Sequence, residues 1–202
     1  MLLTFEGGEG SGKTTVIKRV QALLESEGKK VLVTREPGGV PLGELIRKMV
    51  LESPAQPISE LFLFLASRAE HVATKILPAL HSGTIVLCDR FSDSTLAYQG
   101  YARGLGIDRL LPMCQLAAAS LEPHITFFLD IAPEIGLERA RRSHKQESSD
   151  RMESEKMTFH QKVREGFLEL ARRYPSRIRV IDASAPLDEV VKQVMGHVHT
   201  SH

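Results

Sequence analysis

The sequence predicts an α/β protein in which helices flank a five-stranded parallel sheet in three layers. Five short apolar runs alternate along the chain with longer segments that have helical periodicity. The runs are rich in Val, Ile, Leu and Phe without a clean apolar–polar alternation, as expected for strands that helices cover on both faces. The first run leads directly into a glycine-rich turn and then into a helix. Because strands and helices alternate, the sheet is expected to be mainly parallel.

The elements are expected in the following order along the chain. The predicted strands cover residues 1–5, 30–34, 84–89, 125–130 and 177–182. The predicted helices cover residues 13–27, 42–51, 58–81, 107–121, 134–145, 154–174 and 186–197, with approximate ends. No repeat, low-complexity tract or linker divides the sequence, so residues 1–202 are expected to form a single domain.

Composition narrows the classes of function. With 42% hydrophobic and 25% charged residues and a formal net charge of +1, the chain resembles an ordinary globular protein. This balance gives no electrostatic reason to expect a nucleic-acid or membrane partner. Cys88 and Cys114 are too few for a disulfide framework, and we expect buried thiols in a reducing cytoplasm. No apolar run is long enough to span a membrane, and the first residues lack the basic stretch of a signal peptide.

The turn after the first strand has the spacing of a P-loop. Residues 7–14 match G-x-x-x-x-G-K-[ST] between an apolar strand and a helix start, which predicts the P-loop NTPase type of α/β fold. Glycines let the backbone adopt positive φ values, so that its N–H groups can surround a phosphate chain. Lys13 is expected to reach the β and γ phosphates, and Thr14 to offer a hydroxyl to Mg²⁺. The predicted ATP-binding residues are Gly7, Gly8, Glu9, Gly10, Ser11, Gly12, Lys13 and Thr14.

Three other polar positions adjoin apolar runs. Residues 35–39 follow the second strand at its carboxyl end, where open α/β sheets place ligands. Phe64 and Arg68 are one helical turn apart, so an aromatic face and a guanidinium project from the same side. Asp89 ends the third strand like a Walker-B carboxylate that holds Mg²⁺, with a helix cap as the alternative. Arg90 beside it favours an anion in the site.

The segment around residues 61–66 is apolar on every side of its predicted helix. Part of this surface must meet a subunit partner or the apolar face of a ligand, or the helix lies centrally in one large core. A second unusual segment, residues 139–151, is basic and polar and has no large aliphatic or aromatic side chain before Arg151. A solvated surface is one interpretation; beside a P-loop, a mobile lid at about 139–152 is the other, because a closing cap needs arginines for transition-state charge.

These motifs resemble those of the thymidylate kinase family. Residues 89–100 are similar to the family's characteristic motif, and residues 5–10, 35–39 and 64–68 are similar to its other landmarks in the same order. The likeness extends from residue 1 to about 195. It implies a kinase that transfers the γ-phosphoryl group of ATP to dTMP, giving dTDP and ADP, with Mg²⁺ and a homodimeric assembly.

The resemblance also implies roles for individual residues. Glu9 would contact the sugar of dTMP, Phe64 would stack on thymine, and Tyr98 would crowd a ribose 2′-OH. Arg68 would donate to thymine O4, where cytosine presents an amino donor instead, so the wrong base would face donor against donor. The implied dTMP-binding residues are Glu9, Arg35, Pro37, Arg47, Phe64, Arg68, Arg90, Ser94, Tyr98 and Gln99.

The residues of the P-loop indicate which segment supplies the catalytic positive charge. None of its variable residues is basic, which resembles the bacterial type in which the lid supplies the arginine, although the spacing does not decide which arginine. The implied catalytic residues are Lys13, Arg90, Arg139, Arg141, Arg142 and Arg151, and the implied metal ligands are Thr14 and Asp89. Alternatives are a kinase for another nucleoside monophosphate and a non-catalytic nucleotide-binding or switch protein. A GTP switch that reads guanine with Asn-Lys-x-Asp is excluded, because the chain contains no asparagine.

Overall fold

The computed structural model describes residues 1–143 and 155–200. Within these residues five strands form one sheet in the order β2-β3-β1-β4-β5, and every neighbouring pair is parallel. The strands are β1 (Leu2–Glu6), β2 (Val31–Arg35), β3 (Ile85–Asp89), β4 (Ile125–Asp130) and β5 (Ile178–Asp182). The prediction of a five-stranded parallel sheet flanked by helices is therefore confirmed.

Burial along each strand follows its place in the sheet. The three inner strands, β1, β3 and β4, are buried along almost their whole length. The two edge strands, β2 and β5, each contain exposed positions, such as Val33 and Val180. The expectation that helices cover both faces therefore holds for the three inner strands, whereas the two edge strands are partly exposed.

Helices connect the strands and cover the sheet. They are α1 (Lys13–Ser26), α2 (Pro41–Glu52), α3 (Pro57–His71), α4 (Leu77–His81), α5 (Ser92–Thr95), α6 (Ile107–Ala117), α7 (Pro133–Ser143), α8 (Met157–Arg173) and α9 (Leu187–Thr200). A π-helical turn, Val72–Ile76, joins α3 to α4 shortly before Pro78, whose ring does not fit a regular α-helix. None of the described helices is both long and apolar enough to cross a membrane.

Two helix predictions need correction. Residues 92–102 were not predicted to be helical, but α5 and a π-helical turn, Leu96–Ala102, occupy them. Their sequence is polar and β-branched at first and contains Gly100, so packing against α8 and α6 rather than local propensity supports the helix. The predicted helix 107–121 ends at Ala117, because Ala119 and Ser120 take positive φ values of 49° and 59° that reverse the chain.

The core lies on both faces of the sheet. On one face α1 and α9 pack against the strands, and the rings of Phe5 and Phe127 lie 5.3 Å apart. On the other face Phe128 stacks on Phe167 of α8, with centroids 4.9 Å apart. Both cysteines are buried free thiols, as predicted. All five strands point the same way, so their carboxyl ends share one edge, where the candidate site lies.

The apolar segment 61–66 divides its side chains among different surroundings. Leu61 and Leu65 are buried in the core beside α6, and Phe64 lines a cavity described below. Phe62 is 56% exposed. The core and a cavity therefore account for only part of this apolar surface.

Candidate active site

The P-loop joins β1 to α1 and encloses the lysine side chain. Gly7, Gly10 and Gly12 have φ values of 148°, 64° and 87°. Residues other than glycine rarely adopt backbone conformations in this region. Lys13 Nζ donates to the carbonyl oxygens of Gly7 at 3.1 Å and Gly8 at 3.0 Å. Burial, followed by the Arg90 cation, lowers the pKa of Lys13. The P-loop backbone therefore surrounds the Lys13 ammonium group at the N-terminus of α1. The unpaired N–H donors of a helix N-terminus favour an anion there.

The tip of the P-loop lies directly against α7. A Cβ atom on Gly10 would lie 1.9 Å from the carbonyl oxygen of Gly136, and one on Gly136 would lie 2.4 Å from the carbonyl oxygen of Glu9. Two glycines are thus needed for the loop and the helix to approach this closely. The contact fixes the start of α7, the helix that leads into the predicted lid segment, relative to the phosphate loop.

The two predicted Mg²⁺ ligands lie next to each other. Thr14 Oγ1 donates to Asp89 Oδ2 at 3.3 Å, which brings the first turn of α1 to the end of β3. A hydroxyl and a carboxylate are oxygen ligands of the kind that Mg²⁺ prefers, and Mg²⁺ commonly uses one or two such protein groups together with substrate phosphates. The residues present therefore fit the predicted cation.

A cavity of about 120 Å³ opens beside the P-loop. It contains nine of the ten predicted dTMP-binding residues, drawn from the P-loop, the β2–α2 connection, α2, α3 and the segment that follows β3. The lining residues are Glu9, Glu36, Pro37, Arg47, Leu51, Phe64, Arg68, Arg90, Phe91, Ser94, Thr95, Tyr98 and Gln99. Phe64 and Arg68 both line this cavity, as their one-turn spacing predicts.

Arg35 is the tenth predicted residue and does not line the cavity. Its Nη2 donates to Glu44 Oε2 at 2.8 Å, and its side chain is 51% exposed. Glu44 Oε1 accepts from the Gly39 N–H at 2.8 Å, so this pair stabilises the turn after β2. Arg47 Nη1 donates to the Pro37 carbonyl oxygen at 3.3 Å and lines the cavity from α2.

Arg90 connects the P-loop to the cavity. Its Nη2 donates to Glu9 Oε1 at 2.8 Å, its Nη1 to Ser94 Oγ at 3.3 Å, and its guanidinium lies 5.0 Å from the Tyr98 ring centroid. Tyr98 Oη also donates to Glu9 Oε1, at 3.1 Å. Burial would raise the pKa of Glu9, but the Arg90 and Lys13 cations outweigh it and hold that pKa below its usual range. Arg90 adopts φ 69°, a strained conformation of the kind found at functional sites.

A buried chain of polar side chains fixes Arg68. Its Nε donates to Glu36 Oε2 at 2.8 Å and its Nη2 to Thr95 Oγ1 at 3.1 Å. Glu36 Oε1 lies 3.0 Å from His71 Nδ1, and His71 Nε2 lies 2.7 Å from Thr34 Oγ1. Arg68 is 2% exposed, so the Glu36 carboxylate balances its charge where water cannot.

Glu6 attaches the segment after β3 to the end of β1. Its carboxyl oxygens accept from the Phe91 N–H at 2.8 Å and from Ser94 Oγ at 2.5 Å. Burial, reinforced by the nearby Asp93 carboxylate, raises the pKa of Glu6 to about 8. Burial therefore favours the neutral form of the group that joins the P-loop strand to the cavity wall.

Comparison with known proteins places this geometry in a family. The family model for thymidylate kinase matches residues 5–194.

The chain belongs to the thymidylate kinase family.

It is 48% identical over 198 residues to a thymidylate kinase of Geobacillus sp. (strain WCH70), covering 96% of this chain and 94% of the relative. It is 49% identical to a thymidylate kinase of Syntrophotalea carbinolica, with 95% and 92% covered. The crystal structure of a thymidylate kinase from Ehrlichia chaffeensis superposes with a TM-score of 0.81 at 33% identity and covers 98% of both chains. The family predicted from the sequence motifs is confirmed.

Four residues that line the cavity, and one that lies behind it, are not among the residues predicted from the sequence. Glu36, Leu51, Phe91 and Thr95 line the cavity, and His71 holds Glu36 from behind. Phe91 and Thr95 lie inside the 89–100 motif, and Glu36 lies between two residues that were predicted to bind, so their positions gave a signal. For His71 the only signal in the sequence was its spacing of three residues from Arg68. The sequence contained no signal for Leu51.

The structure describes only part of the basic segment at residues 139–151. Arg139, Arg141 and Arg142 are exposed on α7; Arg139 Nη1 donates to the Ala183 carbonyl oxygen at 2.9 Å, and Arg142 pairs with Glu138. Arg151 and most of the predicted lid at 139–152 lie outside the described residues. The lid and the catalytic role of its arginines therefore stay predictions.

Proposed function

We propose that this chain transfers the γ-phosphoryl group of ATP to dTMP, giving dTDP and ADP for dTTP biosynthesis. Family membership over nearly the whole chain supports the activity. The observation that carries the proposal is the position of Glu9, which belongs to the P-loop and also accepts from Arg90 and Tyr98 in the cavity wall. A triphosphate in the loop and a monophosphate in the cavity would therefore meet at Arg90.

The cavity has separate regions that suit the parts of dTMP. Arg47 and Arg90 offer guanidinium groups to a phosphate, and Arg90 is already held by Glu9 in a fixed orientation. Phe64 offers an aromatic face to a pyrimidine, while Tyr98 and Gln99 would line the sugar and base. Arg35 remains a proposed ligand only if its contact with Glu44 is exchanged for one with the phosphate.

Arg68 is the proposed reader of the base. It can donate to thymine O4, whereas cytosine would present an amino donor to the same guanidinium. Leaving a buried donor without an acceptor costs about 1–3 kcal/mol, which disfavours cytosine. The contacts with Glu36 and Thr95 keep Arg68 from turning away to accommodate the wrong base.

The reaction needs no protein nucleophile, because the acceptor is already an anionic phosphate. Catalysis then consists of alignment and charge neutralisation. Lys13 would neutralise charge on the β and γ phosphates, and Arg90 would orient the acceptor phosphate. Thr14 and Asp89 would hold Mg²⁺, which would supply positive charge against the charge that develops on the phosphates. We propose that an arginine of the segment 139–151 completes this charge.

An ADP-release assay across dTMP, dUMP, dCMP, dGMP and AMP tests the proposed function. We expect the highest kcat/KM with dTMP and no ADP release with ATP alone. A higher kcat/KM for another monophosphate would indicate a different nucleoside monophosphate kinase, and ADP release without any acceptor would indicate an ATPase.

We also propose a homodimer. Exposed apolar side chains recur along α2 and α3: Leu45 is 64% exposed, Met49 53% and Phe62 56%. Exposed apolar residues at helical spacing on adjacent helices are typical of a subunit interface. Sedimentation analysis should show a dimer for the wild type and a monomer for Phe62→Arg; a wild-type monomer at micromolar concentration contradicts the proposal.

A cytoplasmic location, and the expectation of no nucleic-acid or membrane partner, stay predictions.

A further inference from the structure

A small second cavity lies beside the P-loop and shares only Glu9 with the larger cavity that is proposed to bind dTMP, here called the acceptor cavity. Its volume is about 20 Å³. Its walls come from the P-loop, the end of β4 and the facing sides of α7 and α8. The lining residues are Gly8, Glu9, Phe128, Ile131, Pro133, Leu137, His160, Val163 and Arg164.

His160 presents an unsatisfied acceptor to this cavity. The residue is 5% exposed, and its Nε2 has no hydrogen-bond partner within the part of the chain that the structure describes. The Glu155 backbone favours the charged ring, which is the effect expected of a carbonyl oxygen beside the other ring nitrogen, Nδ1. Burial nevertheless lowers the pKa of His160, and the neutral ring then carries a lone pair on Nε2. A buried acceptor of this kind calls for a donor.

The other polar groups of the cavity narrow the identity of that donor. Arg164 is engaged by Asp130, with Nε and Nη2 at 2.7 and 2.9 Å from the two carboxylate oxygens. The Glu9 carboxylate has its pKa lowered by Arg90 and Lys13 against the effect of burial, so it also acts as an acceptor. Two acceptors that face one small cavity require a species with two donors. A water molecule fits, because a space of about 10–15 Å³ is enough to hold one.

We propose that this cavity binds one structural water, which donates one hydrogen to His160 Nε2 and the other to the Glu9 carboxylate. His160 is then a positioning residue for Glu9 and acts from the second cavity, whereas Arg90 and Tyr98 act from the acceptor cavity. Its effect on the reaction rests on the proposed function, since Glu9 orients the arginine that would meet the acceptor phosphate. The water site itself does not depend on that function.

A crystal structure of the wild-type protein at high resolution tests the water site directly. We expect an ordered water within hydrogen-bond distance of both His160 Nε2 and a Glu9 carboxylate oxygen. An Nε2 that instead contacts another protein group, or a cavity closed by a side chain, overturns the proposal. Nitrogen NMR of the same protein should show the neutral His160 ring protonated on Nδ1, and protonation on Nε2 likewise contradicts it.

Two matched variants test the positioning role. His160→Asn keeps a polar group near the Glu155 carbonyl and removes the acceptor from the cavity, while His160→Gln keeps an acceptor that reaches the cavity. Loss of one hydrogen bond predicts that KM for dTMP rises about three- to tenfold in His160→Asn and stays within about twofold of wild type in His160→Gln. KM for ATP should be unchanged in both variants.

The possible outcomes distinguish a failure of the positioning role from a failure of the proposed function. Equal KM values for dTMP in the two variants, whether raised or not, overturn the positioning role. A wild type that releases no ADP with dTMP contradicts the proposed function instead, and the crystallographic test of the water still applies. Variants that fail to fold would leave the crystal structure and the NMR tautomer to decide.

Discussion

The P-loop and the acceptor cavity, the two proposed phosphate sites, are built in different ways. The loop is one continuous segment, Gly7 to Thr14, and it works through backbone groups, glycine conformations and the start of α1. The cavity is assembled from side chains of five separate segments and depends on buried charge pairs such as Arg68 with Glu36. The proposed site for the phosphate chain is therefore encoded locally, whereas the proposed choice of acceptor is encoded in tertiary contacts.

The largest expected effect is in the loop, in Lys13→Ala. Removing its positive charge from the phosphate site should lower kcat by at least about 10²–10³-fold, as the loss of a preorganised charge-stabilising group does. Binding of dTMP should persist, because no cavity contact is lost. Lys18→Ala, an exposed lysine on the same helix, is the matched control. A kcat within tenfold of wild type in Lys13→Ala contradicts the assigned role.

Arg68→Met should give the opposite pattern in the cavity. Loss of a charged donor predicts a fall of about a hundredfold in kcat/KM for dTMP, with ATP binding retained. The variant should also unfold more easily, because the buried Glu36 carboxylate loses the Arg68 cation that balances its charge. Arg109→Met, at an exposed arginine of α6, is the control for steady-state kinetics and thermal unfolding. Unchanged discrimination between dTMP and dCMP would remove Arg68 from base recognition.

Glu6→Gln examines the connection between the two regions. The pKa of Glu6 is raised to about 8 in the folded chain from 4.5, so folding takes up a proton between these values. This contribution to stability is present below pH 4.5 and is lost as the pH rises toward 8. The wild type should therefore lose of the order of 2 kcal/mol relative to Glu6→Gln between pH 5 and pH 7, measured by urea unfolding. A difference between the two proteins that is independent of pH contradicts the raised pKa.

The thymine methyl group provides a smaller test of the cavity. One methyl group in an apolar pocket is worth about 1–3 kcal/mol, so dUMP should be used with a kcat/KM about ten- to 200-fold below that of dTMP. The two substrates are compared in the same ADP-release assay. Equal values would mean that no apolar wall of the cavity contacts the methyl group.

Two glycines of the loop provide the smallest test, on stability. Gly10→Ala forces a Cβ against the Gly136 carbonyl oxygen and should cost about 1–2 kcal/mol of unfolding free energy. Gly8→Ala meets no atom within 4 Å and should change stability by less than about 0.5 kcal/mol. Thermal unfolding without nucleotide compares the two variants. Equal losses would contradict the close contact between the loop and α7.

The same division explains what the sequence could predict. The P-loop, the strands and the shared side of Phe64 and Arg68 depend on spacing along one segment, and the structure has them as expected. The link between Arg68, Glu36 and His71 depends on how α3 packs against the end of β2, which no local pattern encodes. Arg35 was predicted to bind dTMP from the family resemblance and lies at a strand end, but neither fixes the direction of a side chain, which here turns to Glu44.

The helix at 92–102 was missed for a related reason. Its first residues are Ser, Asp, Ser and Thr, which favour caps and turns in isolation. It forms because Leu96, Ala97 and Tyr98 are buried against α6 and α8, and the wide π-helical turn carries Tyr98 and Gln99 into the cavity wall. Tertiary packing here outweighs propensity, at the segment where specificity is proposed to lie.

The most direct test of the account is a crystal structure with dTMP and a non-hydrolysable ATP analogue. In that structure the triphosphate should lie in the P-loop around Lys13, and the pyrimidine should lie between Phe64 and Arg68. The acceptor phosphate should contact Arg90, in line with the γ phosphate. A pyrimidine bound elsewhere, or a cavity filled by the protein's own side chains in the presence of dTMP, would contradict the account.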